Sequence, residues 1–276
     1  MKNDLVSEPD DYALGRSAAE TERLRLQAEI YGSHTAFLLT RAGIAPRMRV
    51  LDVGCGAGDV TMQLARLVGP DGEVIGVDVD PAVLAVAQAR VADAGLANVS
   101  FIEARLPAVP LDEQVDALVG RLILTHLKEP APTVRVLAKL VRSGGIVTFQ
   151  DFVSTRTRTV PPCPIATRTI DLIAAAAGAV TMNINFGERI PSILSDAGLA
   201  VVGAAAATAA GPADSLTPRY IAELARSMLP VITAHGLATE DEVDVGTLAK
   251  RIAEEMTEAG AMFWLPDLAA AWARVP

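Results

Sequence analysis

Apolar positions in the first half of the chain follow two alternating spacings. Short apolar runs at Arg49–Val53, Val74–Asp78, Val99–Glu103, Val115–Gly120 and Ile146–Gln150 have the length of buried strands. Between them, apolar residues recur three and four apart. Val60, Leu64, Leu67 and Val68 form one such helical stripe, stopped by Gly69-Pro70-Asp71-Gly72. Ala82–Ala94 and roughly Ala131–Val141 are further helices, and Asp80-Pro81 supplies the cap and first position of the former. Upstream, Ser17–Tyr31 carries Leu24, Ala28 and Tyr31 on one stripe, and a second short helix at His34–Ala42 leads into the first strand. This βαβ alternation predicts a doubly wound parallel α/β sheet.

The second half changes character. Phe152–Phe186 contains Pro161, Pro162 and Pro164, then an alanine-rich helix over about Ile165–Ala179. A helix at Glu188–Ala197 and a strand at Leu199–Ala207 follow. Thr217-Pro218 starts another helix with Ile221, Leu224, Met228 and Leu229 on one face. Thr239-x-x-Glu242 reads as a capping box, Val245, Leu248, Ile252 and Met256 form a further stripe, and Ala261–Leu265 is a last short strand.

The chemistry concentrates between Arg49 and Asp59, where a strand breaks into a glycine-rich turn and opens a helix. Such a turn brings bare backbone N–H groups against a ligand, because glycine permits close approach. The second strand ends in Asp78, where an open α/β sheet holds a ribose diol. A dinucleotide fingerprint wants G-x-G-x-x-G. Here the glycines are Gly54, Gly56 and Gly58, the next residue is Asp59, and Asp52 stands two positions ahead of the first glycine. That combination resembles motif I of the class I S-adenosylmethionine (SAM)-dependent methyltransferases of the small-molecule type, with Asp78 matching their ribose-binding acid. The resemblance covers about Val50–Gln150.

The resemblance implies a Rossmann-like methyltransferase fold: a seven-stranded doubly wound sheet, with strand seven antiparallel between strands five and six, and a helical lid. One domain then spans residues 1–276. Its core is about 45–151 plus 187–210 and 260–276, and its lid comes from 1–44, 152–186 and 212–259. SAM is the implied cofactor and S-adenosylhomocysteine (SAH) its product. The expected cofactor contacts are Gln27, Asp52, Gly54, Cys55, Gly56, Gly58, Asp78, Val79, Ala104, Arg105, Leu106 and Arg121.

Several of these positions carry open alternatives. Arg105 stands where many relatives place an aspartate on the adenine amino group, and an arginine cannot accept that hydrogen bond. A backbone carbonyl takes the contact, or Arg105 stacks on the ring, or its side chain points to solvent. Arg121 wants a carboxylate: the methionyl carboxylate of SAM, Asp52 or Asp151. Gln27 is a satisfied core amide or touches the polar end of the cofactor. Asp151, after strand five, is the acid nearest the acceptor, or a cap or loop ion pair. His126, after strand four, is a second candidate base, or packs.

Composition narrows the partner. The net charge is −9, from 33 acidic and 24 basic residues, which argues against a broad nucleic-acid surface. Two cysteines, Cys55 and Cys163, form no disulfide framework, and no residue cluster has metal-ligand spacing. Met1–Asp11 is polar and acidic and does not read as a signal peptide. The uncharged stretches Leu172–Gly187 and Ala197–Ala213 fall short of a membrane span. The expectation is a cytoplasmic monomer or homodimer, without membrane or nucleic-acid partners, that methylates O, N or C of a small-molecule acceptor. The alternatives are an NAD(P)-dependent oxidoreductase, or a SAM-binding protein or cyclase without methyl transfer.

Overall fold

The computed structural model describes residues 18–276. The Met1–Asp11 stretch and the expected helix start at Ser17 lie outside them. In chain order the elements are α1 (Ala18–Ala42), β1 (Arg49–Val53), α2 (Asp59–Val68), β2 (Glu73–Asp78), α3 (Pro81–Asp93), β3 (Val99–Glu103), β4 (Val115–Arg121) and α4 (Pro130–Leu137). Then come β5 (Val141–Val153), β6 (Arg158–Val160), α5 (Pro164–Ala179), α6 (Ile190–Asp196), β7 (Ala200–Gly211), α7 (Thr217–Ala234), α8 (Glu240–Val243), α9 (Leu248–Ala259) and β8 (Met262–Arg274).

Strands β3, β2, β1, β4 and β5 lie side by side in that order, all parallel. β8 runs antiparallel beside β5 and carries β7 on its other edge, also antiparallel. The inserted antiparallel strand is therefore where the resemblance puts it. The reversal of strand order beside β1 opens a crevice at the carboxyl ends of β1 and β4, the usual ligand site of such sheets.

Four local expectations are corrected. The break between Tyr31 and His34 does not occur, and α1 runs straight through Gly32. Tyr31, Thr35, Leu38 and Leu39 are all fully buried on one stripe, so packing carries the helix across the glycine. The fifth strand starts not at Ile146 but at Val141, with Ser143-Gly144-Gly145 as a bulge inside β5 where the register with β4 shifts. A Cβ on Gly145 would lie 2.7 Å from the Asp116 carbonyl oxygen, so the close backbone approach needs glycine. β6 was not expected; it pairs with β8 at Met262–Trp264, beyond the end of β5's own ladder. The last strand does not stop at Leu265 but continues to Arg274.

Other signals translate directly. The Asp80 carboxylate accepts the Ala82 N–H at 2.9 Å with Pro81 in the first turn of α3. The Thr239–Glu242 capping box is present, though it caps the single turn of α8 and not the long stripe that follows. Leu248, Ile252 and Met256 of that stripe lie in α9, with Val245 ahead of it, and α9's Glu255 accepts the Ile165 N–H at 3.0 Å at the N-terminus of α5. Helices α1, α5, α7 and α9 pack together over β8 around Tyr31, Tyr220, Met228, Ile252 and Phe263. A second cluster fills the face of the sheet under α4 and α6, and a third lies between the sheet, α1 and α2. β8 feeds all three: Phe263, Leu265, Leu268 and Ala270 the first, Ala271 and Ala273 the second, Trp272 the third. Among the described residues, no helix is long and apolar enough to cross a membrane.

Candidate functional site

The glycine turn between β1 and α2 is folded on itself. Gly54, Gly56 and Gly58 have φ of 69°, 53° and 82°, a region that L-residues with side chains avoid. The expected row of bare donors is corrected, because the N–H groups are used within the protein. Gly54 and Cys55 donate to the Val77 carbonyl at 2.8 and 2.9 Å, and Gly58 donates to the Cys55 carbonyl at 3.0 Å. Gly56 donates to Asp78 Oδ2 at 2.9 Å. The glycines supply conformation and a bare surface. A Cβ on Gly54 would meet Ile123 at 2.6 Å, whereas one on Gly56 would find nothing within 4 Å. Gly56 thus leaves an open face above the turn. The Cys55 side chain is buried away from it, and burial pushes its thiol upward.

Asp78 is held from two sides. Its second oxygen accepts the Asp80 N–H at 3.1 Å. Each carboxylate oxygen keeps a further lone pair, enough for the two hydroxyls of a ribose. Val79 beside it is an exposed apolar residue, and the Asp78 carbonyl accepts the Ala104 N–H at 3.0 Å, which draws the β3 tip alongside. Leu106 is buried there, while Arg105 is exposed. A two-point acid, an open glycine face and an apolar flank form a donor and acceptor set that fits the nucleoside of SAM.

Asp52 is fully buried and accepts the Thr61 hydroxyl at 2.6 Å. Burial, only partly offset by that hydrogen bond, pushes its carboxyl up to about 6. Arg121, at the β4 tip, donates from Nη1 to Thr35 Oγ1 at 3.0 Å. The ion pairs considered for it, with Asp52 or Asp151, do not form: among the described residues, no carboxylate oxygen lies within 4.0 Å of its guanidinium. Burial lowers its pKa, against the longer-range pull of Asp59 and Asp52.

Beyond the tips of β4 and β5 lies a cavity of about 550 Å³, bounded by α1, α5 and α7. Its wall is mainly apolar, with Ile170, Ile173, Ile184, Phe186, Ile221 and Met228 among its residues. Asp151 lines it and is almost fully buried. Its Oδ1 accepts the Phe152 N–H at 2.8 Å, and its Oδ2 is buried with no partner. Burial pushes the carboxyl up to about 7. Among the described residues, Asp151 is thus neither a helix cap nor part of an ion pair. His126 lines the same cavity, and burial lowers its pKa, favouring the neutral imidazole. Gln27 is in this wall too, with its Oε1 accepting from Arg23 at 2.6 Å and from the Tyr220 hydroxyl at 3.5 Å. Its carbonyl is therefore taken up within the protein. Besides Asp151 Oδ2, the Thr157 hydroxyl is a second buried polar atom without a partner among residues lining the cavity. Among the described residues, no group of three His, Cys, Asp or Glu side chains could hold a metal ion.

Thr35, Arg23, Tyr220 and Thr157 have no role that the sequence points to, and Gln150 is placed by it at the tip of strand five without one. Only Gln150 had a local signal, as a polar residue at the end of the largely apolar run Ile146–Gln150. The others become neighbours of the site only through tertiary packing of α1, α7 and the turn after β5.

Strand order, glycine turn and strand-tip acid together define the class I methyltransferase arrangement. The chain belongs to the methyltransferase domain family, whose family model matches residues 44–188, and its cofactor is SAM. It is 31% identical over 118 residues to the ubiquinone/menaquinone biosynthesis C-methyltransferase UbiE of Pseudomonas paraeruginosa (strain PA7). That match covers 42% of this chain and 46% of the relative, so it spans about half the length of the curated relative. Among solved structures, a SAM-dependent methyltransferase from Aquifex aeolicus aligns with a TM-score of 0.51 at 23% identity, covering 66% of this chain and 90% of that one. The [4+2]-cyclase SpnF aligns with a TM-score of 0.52 at 20% identity, covering 88% and 81%. At these identities the two structures share the fold with this chain.

Proposed function

We propose that the protein transfers the methyl group of SAM to O, N or C of a small-molecule acceptor held in the cavity beyond β4 and β5, with Asp151 as the acid–base group on the acceptor side. The observation that carries this reading is the buried, unpartnered Asp151 Oδ2 on the wall of a 550 Å³ apolar chamber at the strand tips.

Bound SAM supplies a methyl group on a positively charged sulfur, which an electron-rich acceptor atom attacks in line. The chain's own part is to hold and exclude. Asp78 takes the ribose hydroxyls, and the open glycine turn and Val79 face the rest of the nucleoside. Helices α1, α5 and α7 act as the lid that keeps water from the cavity. Asp151 Oδ2 accepts a proton from an acceptor hydroxyl or amine as the new bond forms, with the neutral His126 imidazole as the second candidate. Fixed alignment contributes up to roughly 7–11 kcal/mol to such a reaction, and a general base about 10²–10⁴-fold. Positioning therefore outweighs base catalysis, consistent with a large apolar wall carrying few titratable groups. The cavity volume and the net charge of −9 favour a metabolite over a nucleic acid.

The test is SAH release, followed by mass spectrometry with small acceptors whose volumes fit the cavity. A methylated product accompanied by stoichiometric SAH supports the reading. SAH binding with conversion of a substrate but no SAH release would favour the cyclase alternative.

A prediction concerns the cofactor acid. Asp78→Ala should weaken SAH by about 1.5–3 kcal/mol, the scale of hydrogen bonds to a charged group, as read by calorimetry. NAD and NADP should not bind measurably. Unchanged SAH affinity in the variant would move the ribose away from β2.

A further inference from the structure

We propose that Arg121 and Gln150, braced together by Thr35, recognise the amino-acid end of the cofactor, with the guanidinium taking its carboxylate and Gln150 Oε1 taking its ammonium group. The inference rests on the reading of this site as a SAM site and adds residues that motif I does not supply.

Three observations converge. First, Arg121 and Gln150 are register partners across the parallel β4–β5 ladder, so their side chains leave the sheet on the same face. Second, both meet one residue of α1. Arg121 Nη1 donates to Thr35 Oγ1 at 3.0 Å, and Gln150 Nε2 reaches the Thr35 carbonyl at 3.5 Å. Third, both have their main binding capacity unspent. The guanidinium has a single neutral hydroxyl partner and no carboxylate within 4.0 Å among the described residues. Gln150 is 1% exposed, and its Oε1 is buried with no partner. A guanidinium drawn out of water onto one neutral hydroxyl is costly unless an anion completes it. A buried amide oxygen without a donor is equally incomplete. A zwitterionic α-amino acid satisfies both at once.

The spacing along the sheet agrees. Asp78, the nucleoside acid, ends β2. From β2, β4 is two strands away and β5 three, roughly 10 and 14 Å at about 4.8 Å per strand. Between them lies the glycine turn, with its open face at Gly56. The nucleoside, the sulfur and the amino-acid end thus run in order across β2, β1, β4 and β5. Thr35 fixes the two recognising side chains from above, so α1 serves as the support of this subsite.

The test compares SAH with two fragments by calorimetry: 5′-deoxy-5′-methylthioadenosine, which lacks the whole amino-acid group, and S-adenosylthiopropylamine, which lacks only the carboxylate. In the unaltered protein, SAH should bind at least 100-fold more tightly than methylthioadenosine and about 10–150-fold more tightly than the decarboxylated analogue, the range for a charge-assisted contact. Arg121→Met should weaken SAH by a similar 10–150-fold while leaving the decarboxylated analogue and methylthioadenosine within about threefold. Gln150→Leu should weaken SAH and the decarboxylated analogue together, because both retain the ammonium. Retained methylthioadenosine binding reports that each variant still folds. The analogue comparison needs no variant and reads the carboxylate contact directly. Equal binding of SAH and the decarboxylated analogue overturns the inference and leaves the cofactor assignment standing. An Arg121→Met variant that weakens all three ligands alike overturns it too. Binding of none of the three to the unaltered protein overturns the cofactor reading itself.

Discussion

Asp151→Asn is expected to reduce turnover by about 10²–10⁴-fold while leaving SAH affinity within a few-fold. Asparagine keeps the shape and the Phe152 contact, but it removes the carboxylate that takes the proton. The pH dependence should follow. Burial pushes the Asp151 carboxyl up to about 7, so activity in the unaltered protein should rise through about pH 7 as the group ionises. The asparagine variant should lack that rise. Stability moves the other way. A carboxyl whose native pKa lies above its unfolded value of 3.8 binds more protons folded than unfolded. Its contribution is fully present below about pH 4 and is lost as pH rises through about 7. The burial penalty on the charged form is on the order of a few kcal/mol, and the variant escapes it. Thermal melts at pH 5 and pH 8 should therefore show a larger drop for the unaltered protein than for Asp151→Asn. Asp52, pushed up to about 6 by burial, adds the same slope to both proteins. Equal melting shifts, with an unchanged pH–rate profile, would remove Asp151 from the chemistry.

Gly54→Ala should be the most damaging single methyl in the cofactor site. Its φ of 69° costs an alanine about 1–2 kcal/mol. The new Cβ would also sit 2.6 Å from Cδ1, 2.7 Å from Cγ1 and 3.0 Å from Cβ of Ile123. The Ile123 Cβ is fixed to the backbone, so the turn itself must shift. We expect SAH affinity to fall at least tenfold. A total loss of about 3 kcal/mol would lower the melting temperature by roughly 6–12 °C at about 2–4 °C per kcal/mol. Gly56→Ala is the contrast. It carries the same kind of backbone strain, but its Cβ meets nothing within 4 Å, so it should lose less stability. Its methyl group instead enters the space assigned to the nucleoside, and SAH affinity should fall out of proportion to stability. If both variants lose binding only as far as they lose stability, the open face of Gly56 is not a ligand surface.

The nucleotide half was legible in sequence because its signals are local. Apolar runs mark β1 to β5, Asp80-Pro81 starts α3, and three glycines with left-handed φ sit where their spacing puts them. The illegible parts are those decided by distant neighbours. Nothing near Gly32 announces that α1 continues, because the cause is the burial of Tyr31 and Thr35 against other elements. The alanine-rich run Ala269–Ala273 has no strand propensity to speak of. It becomes the C-terminal part of β8 because β5 and β7 pair with both of its edges and its side chains from Ala270 to Ala273, Trp272 included, are buried against neighbouring elements. The cavity beyond β4 and β5 lies among helices from the segments expected to form a lid, but Arg23, Thr157 and Tyr220 on its wall carried no signal in sequence. Asp151 was readable as a strand-tip acid. Gln27 was placed on the right helix, yet its carbonyl faces Arg23 and Tyr220. Which amide oxygen stays unpaired, that of Gln27 or that of Gln150, depends on side chains from α1, β4 and α7 meeting in space.

The contribution of β8 to all three hydrophobic clusters bears on how the molecule comes apart. A helical roof attached through its own separate core could melt first and leave the sheet intact. Here the strand that anchors the roof is also the one that closes the sheet against β5, its residues facing alternately into one core and the next. Losing it removes buried apolar surface from every part at once. Heat or denaturant should therefore produce a single cooperative transition, with a reporter near Trp264 and one near the glycine turn tracing the same curve. Refolding should be slow for a chain of this size, because the β5–β8 ladder joins segments distant in sequence and none of the three clusters is complete until β8 is in place.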